Sequence, residues 1–135
     1  MTAINVPLIE LMNAGIEFPG RRIAGISFNV TRGEFVCLLG PTGSGKSLAL
    51  DMIAGLKRPS FGQVIVAGDC INDFNERQMM FVRRTMGIMG QELLLLNDRS
   101  ILENVMLPAI AAEESYSEAK ARAMTALNNC GIQDL

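Results

Sequence analysis

Phe35-Val36-Cys37-Leu38-Leu39-Gly40-Pro41-Thr42-Gly43-Ser44-Gly45-Lys46-Ser47 decides the fold. Its first five residues are apolar at every position. That pattern predicts a strand covered on both faces, as in a parallel sheet. The next eight fit G-x-x-x-x-G-K-[S/T] without a mismatch. From Lys46 to Leu56 the chain reads as a helix, with Leu48, Met52 and Ile53 on one side. Strand, glycine loop, helix is the context a phosphate-binding loop requires. Glycines let the backbone turn its N–H groups inward as an anion nest. The new helix adds the positive end of its dipole. Lys46 supplies a point charge for β- and γ-phosphates, and Ser47 a hydroxyl for Mg²⁺.

Outward from this centre, residues 7 to 12 read as a strand. Phe18-Pro19-Gly20 is turn chemistry. Ile26 to Val30 alternates as a half-buried strand, and Thr31-Arg32-Gly33 turns the chain. Val64 to Asp69 reads as a strand running into a turn, Asn75 to Arg84 as a helix, and Met86 to Met89 as a short strand. Ser100-Ile101-Leu102-Glu103 and Ser115-Tyr116-Ser117-Glu118 each match a capping box. They place helix starts at Ile101 and Tyr116, and Gly131 stops the second helix.

The chain has 135 residues, 49% of them hydrophobic, and a net charge of −2. That suits one core and offers no basic field for nucleic acid. Histidine is absent, which removes Ser-His-Asp triads and His-ligated zinc. Cys37, Cys70 and Cys130 are far apart and odd in number. They are expected as small buried hydrophobes in a reducing compartment. The nine methionines are expected as core filler. No leader and no span of about 20 apolar residues is visible, so a cytosolic domain is expected. Leu93 to Asp98 and Val64 to Asp69 each look like an apolar strand ending in an acid. Neither is read as a second catalytic motif: the first follows Gln91 too soon and lacks an Asp-Glu pair. GTPase switch and base-reading strings are missing. Arg83-Arg84 has no companion pattern for a small-molecule kinase.

The ordered motifs resemble the ABC-type ATPases over almost the whole chain. Gly25 to Glu34 is similar to the segment preceding their P-loop. Gly55-Leu56-Lys57-Arg58-Pro59-Ser60-Phe61-Gly62 resembles their G-L-x-x-P-x-x-G segment. Met86 to Gln91 resembles the strand into the Q-loop, and Leu94-Leu95, Ser100 and Glu103-Asn104-Val105 the start of the helical subdomain. Ala126-Leu127 to Gly131-Ile132 is similar to the end of the helix before the signature loop. Phe81 to Ile88 and Asn97 to Ser100 look most like the bacterial cell-division branch, with lipoprotein-release and macrolide-export ATPases as near alternatives.

The resemblance implies an α/β P-loop NTPase core with an antiparallel β subdomain. Residues 1–75 form that subdomain, interwoven with strand and helix 35–56; 76–93 run to the Q-loop; 94–135 begin the helical subdomain. It implies ATP and Mg²⁺ as ligands. Phe18 would stack on adenine. Gly40, Pro41, Thr42, Gly43, Ser44, Gly45, Lys46, Ser47 and Leu48 would surround the phosphates. Lys46 and Gln91 would act in catalysis, and Ser47 and Gln91 would hold the metal. Leu93 to Arg99 would dock an integral membrane partner. A homodimer would close through ATP, on the inner face of the membrane and without nucleic acid.

Two positions depart from the pattern. Leu48 stands where threonine is usual, removing a hydroxyl from the α-phosphate. Gly90 stands where an aromatic is usual. The signature loop, Walker B strand and switch histidine of the family are not found. The chain is therefore expected to be the N-terminal part of a longer ATPase that binds ATP without hydrolysing it. The alternative is a non-catalytic module that binds nucleotide or the membrane partner.

Overall fold

The structure is a computed structural model that describes residues 6–91 and 94–132. It falls into two compact units, 1–88 and 89–135, each taken by itself. No helix among the described residues is long and apolar enough to cross a membrane.

The first unit is built on four antiparallel strands in the order β2-β1-β3-β4. β1 (Ile9–Phe18) and β2 (Arg21–Val30) form a hairpin closed by Pro19-Gly20. Proline presets a negative φ and Gly20 takes φ 74, the combination a tight reversal needs. β1 runs six residues past the strand end expected at Met12. The cause is a bulge: pairing shifts between Leu11 and Ala14, where Asn13 takes φ 49. Its amide bonds the Ser27 hydroxyl at 2.9 Å. The inserted residue re-phases the strand, so Leu11, Ala14 and Ile16 all face the core despite their uneven spacing.

β3 (Phe61–Val66) pairs with the other side of β1. It turns through Ala67-Gly68 into β4 (Asp69–Cys70). The Val64 to Asp69 segment is thus a hairpin, not a strand ending on a catalytic acid. α1 (Lys46–Ile53) presses Leu48, Ala49, Met52 and Ile53 onto the sheet. It ends three residues before the expected Leu56, because Gly55 takes φ 64. α2 (Glu76–Arg84) adds Met79 to the same core. Each of the larger of these side chains, Leu48, Met52, Ile53 and Met79, is worth roughly 1.5–3 kcal/mol when fully buried. Arg83 pairs with Glu76 at 3.0 Å and Arg84 lies over the Phe81 ring.

Two expected strands are not formed. Residues 34–40 form no regular element and pair with no strand among the described residues, and Phe35 and Leu39 are 90% and 91% exposed. Met86 to Met89 is likewise unpaired, with Met89 88% exposed. Apolarity prepares a segment for a sheet interior, but only a neighbour's hydrogen bonds make it a strand. The cysteines also differ from expectation: all three are exposed. Cys37 lies on the unpaired segment, Cys70 on the two-residue β4, and Cys130 at the end of a helix. Of the methionines, Met52, Met79 and Met106 fill cores, whereas Met12, Met80, Met89 and Met124 are exposed.

The second unit is a helical hairpin of α3 (Ile101–Ala111) and α4 (Tyr116–Asn129). Met106 and Ala109 meet Ala119 and Ala123 in its core. Both capping boxes form where expected. Asn75 and Gln78 form a third, at the start of α2. The Asn104 side chain clamps the preceding loop, accepting from the Leu96 amide at 2.8 Å and donating to its carbonyl at 3.0 Å. Leu93 lies outside the described residues, so the docking segment is seen from Leu94 onward.

Candidate functional site

The loop from Gly40 to Gly45 delivers the chain into α1. Gly45 caps the helix with φ 98 and ψ 8, and no side chain caps it. A Cβ at Gly45 would stand 2.8 Å from the Ile23 methyl, and one at Gly43, with φ 82, would stand 2.9 Å from the Arg21 guanidinium. Both positions therefore need glycine for conformation, and Gly45 needs it for space as well. Of the loop's amides, Ser44 bonds back to the Pro41 carbonyl at 3.2 Å. Those of Gly43, Gly45, Lys46 and Ser47 find no acceptor among the described residues. The Ser47 hydroxyl also has no partner there. Lys46 Nζ donates to the carbonyls of Gly40 and Pro41, both at 2.8 Å, and to Ser44 Oγ at 3.4 Å. The ammonium is held over its own loop by weak acceptors that an anion would replace.

These groups open on a cleft of about 370 Å³. Its lining includes Gly43, Gly45, Lys46, Ser47 and Leu48 from the loop and α1, and Phe18, Arg21 and Ile23 from the β1–β2 hairpin. Asp51 and Lys57 complete it, paired with each other at 3.4 Å. Phe18 is 37% exposed, so part of its ring is free to receive a flat group. Leu48 is 7% exposed and belongs to the core as much as to the cleft. Gly40, Pro41, Thr42 and Ser44 shape the loop without lining the cleft. Three cations against one carboxylate make it a site for an anion.

Gln91 is exposed and is not among the residues that line this cleft. Arg21, Ile23, Asp51 and Lys57 were not singled out by motif. The signal for Arg21 lay in the turn: once Pro19-Gly20 closes the hairpin, Arg21 must stand opposite Phe18.

A model of the ABC transporter family matches residues 23–135. The chain belongs to that family. Its fold is the corresponding part of the P-loop ATPase cassette. It is similar to the cell division ATP-binding protein FtsE of Escherichia coli K12, 36% identical over 112 residues, 83% of this chain and 50% of that protein. FtsE of Haemophilus influenzae is 34% identical, over 94% of this chain and 60% of that protein. Among solved structures, a dimeric bacterial ABC transporter cassette superposes with a TM-score of 0.79 at 32% identity, over 89% of this chain and 56% of that one. A cassette dimer in a post-hydrolysis state, bound to ADP and Pi, gives 0.78 at 31%, over the same shares. The chain thus spans about half the length of the relatives it matches.

Proposed function

We propose that this chain supplies the ATP-binding part of an ABC-type ATPase. The observation that carries the reading is the set of unspent amides at Gly43, Gly45, Lys46 and Ser47, gathered beside the Lys46 ammonium on one wall of a cationic cleft. Preorganised N–H donors and a fixed cation are what a triphosphate requires. Lys46 leaves the Gly40 and Pro41 carbonyls for the β- and γ-phosphates. Phe18, on the facing hairpin, stacks on the base. Mg²⁺ fits the donor set: it keeps most of its waters and takes phosphate oxygens, so one free hydroxyl, that of Ser47, suffices from the protein. The ion supplies charge neutralisation for phosphoryl chemistry. The family resemblance implies that Gln91, which does not line this cleft, would add a second metal contact in the complete protein.

The only carboxylate on the cleft among the described residues, Asp51, is engaged by Lys57. Among the described residues no group lining the cleft is placed to activate water, which supports the reading that this chain by itself binds ATP without turning it over. Hydrolysis belongs to the complete protein, where two subunits enclose two ATP molecules. The similarity to FtsE supports a cell-division role with an FtsX-like membrane partner. A transporter permease, as for lipoprotein-release or macrolide-export ATPases, is the alternative. Leu94 to Arg99 is the docking surface, on the inner face of the membrane. The working boundaries are 1–75, 76–93 and 94–135.

Isothermal titration of Mg-ATP and a phosphate-release assay, each with Lys46→Ala as control, test this. Binding that Lys46→Ala abolishes, with no phosphate release, is expected. Lys46-dependent turnover would overturn the binding-only reading, and undiminished binding in Lys46→Ala would overturn the site.

A further inference from the structure

We infer that Arg21 is a further nucleotide-binding residue, whose guanidinium holds the α-phosphate. The inference rests on the nucleotide reading of the cleft. Arg21 is the residue after the Pro19-Gly20 turn and pairs directly with Phe18 across the hairpin. One of its terminal nitrogens donates to the Gly43 carbonyl at 2.6 Å, so the guanidinium lies against the phosphate loop itself. A guanidinium carries five N–H donors in a flat fork. Only the bond to Gly43 is made to protein among the described residues. The remaining donors stand at a cleft wall with no carboxylate partner, while the neighbouring Lys57 is already paired with Asp51.

Position selects the phosphate. The loop amides and Lys46 lie at the α1 end of the cleft, which takes the terminal phosphates. Phe18 lies at the hairpin end, which takes the base. Arg21 is bonded to the first and register-paired with the second. The part of a nucleotide that spans that gap is the sugar and its α-phosphate, and of these the phosphate is the anion. Among the described residues, the other hairpin and α1 side chains beside it offer no donor. The Leu48 side chain is apolar and committed to the core, and Ile23 is apolar as well. A charge-assisted pair of this kind changes affinity about 10- to 100-fold.

The bond to Gly43 also suggests a rival role: Arg21 could merely brace the loop. Titrations of Mg-ATP and Mg-ADP into the parent chain, Arg21→Lys and Arg21→Gln separate the two. Glutamine loses the charge and is too short to keep the Gly43 bond, whereas lysine keeps the charge and most of the reach. Salt therefore separates the roles, since a phosphate contact makes the parent's advantage over Arg21→Gln shrink as ionic strength rises and a brace to a neutral carbonyl leaves it unchanged. A phosphate contact predicts a 10- to 100-fold loss in Arg21→Gln, equal for ATP and ADP because both carry the α-phosphate, with Arg21→Lys recovering most of it. Parent-like binding by Arg21→Gln would overturn the inference, and a loss that salt leaves unchanged would leave only bracing and overturn it as well. A loss confined to ATP would move the contact to the γ-phosphate and overturn it too. If the parent bound neither nucleotide, the nucleotide reading itself would fall, and this one with it.

Discussion

Lys46 shows how a single residue is readied for its ligand. Its ammonium rests on two carbonyls and a hydroxyl of the loop it belongs to, so it is placed but not neutralised. Leu48, two residues on, is a compromise between site and core. A threonine there would offer a hydroxyl to the cleft but bury a polar group where the side chain is 7% exposed. Leu48→Thr is expected to tighten Mg-ADP binding by about 2- to 10-fold. It should also lower stability by about 1–3 kcal/mol. Calorimetric titration and urea melts of the same variant would check both. Tighter binding without loss of stability would mean that Leu48 contributes little to the core. The P-loop residues were legible in the sequence because the motif specifies a local backbone. Arg21 was not, because its place in the cleft depends on a hairpin folding over a loop 22 residues away.

At the scale of elements, the capping boxes carry the clearest energetic prediction. The Ser100 amide and hydroxyl donate to the Glu103 carboxylate at 2.8 and 2.9 Å. At the next helix the Ser115 hydroxyl donates to Glu118 at 2.5 Å and its amide at 3.0 Å. Backbone bonding from Ser100 holds the Glu103 carboxyl below its ordinary range, and the Ser115 hydroxyl does so for Glu118. A carboxyl whose folded pKa is depressed stabilises fully above its unfolded value, about 4.3. That contribution disappears as pH falls through the lower, folded value. Far-UV circular dichroism is therefore expected to show steady helix content from pH 7 to about 5 and a loss below about 4. In Glu103→Gln/Glu118→Gln the acid-dependent part of that loss should vanish. An unchanged acid transition would assign it to other groups. Both boxes were plain in the sequence, since four consecutive residues specify each. β1 was seen only as far as Met12, because the bulge at Asn13 breaks the alternation on which a strand reading relies.

For the whole molecule the decisive feature is the apolar segment that precedes the P-loop. Phe35 and Leu39 stand almost fully in water, and the backbone between them has unused pairing groups. Such an edge templates association. Sedimentation velocity on this chain is expected to show oligomers or aggregates at micromolar concentration. Phe35→Lys/Leu39→Lys should return much of the material to monomer. A monodisperse parent with a single cooperative melt would show that the segment is harmless.

By itself the sequence determined what is written in short runs. The phosphate loop, the Pro19-Gly20 turn, the serine-glutamate caps and the stop at Gly131 all follow from bonds made within a few residues. Their order was enough to carry the family resemblance. Only the tertiary structure decided the rest. It left Phe35 to Leu39 and Met86 to Met89 without strand partners among the described residues, exposed all three cysteines, re-phased β1 through its bulge and set Arg21 against Gly43. Each of those outcomes depends on which distant segment arrives alongside, and local composition does not encode an arrival.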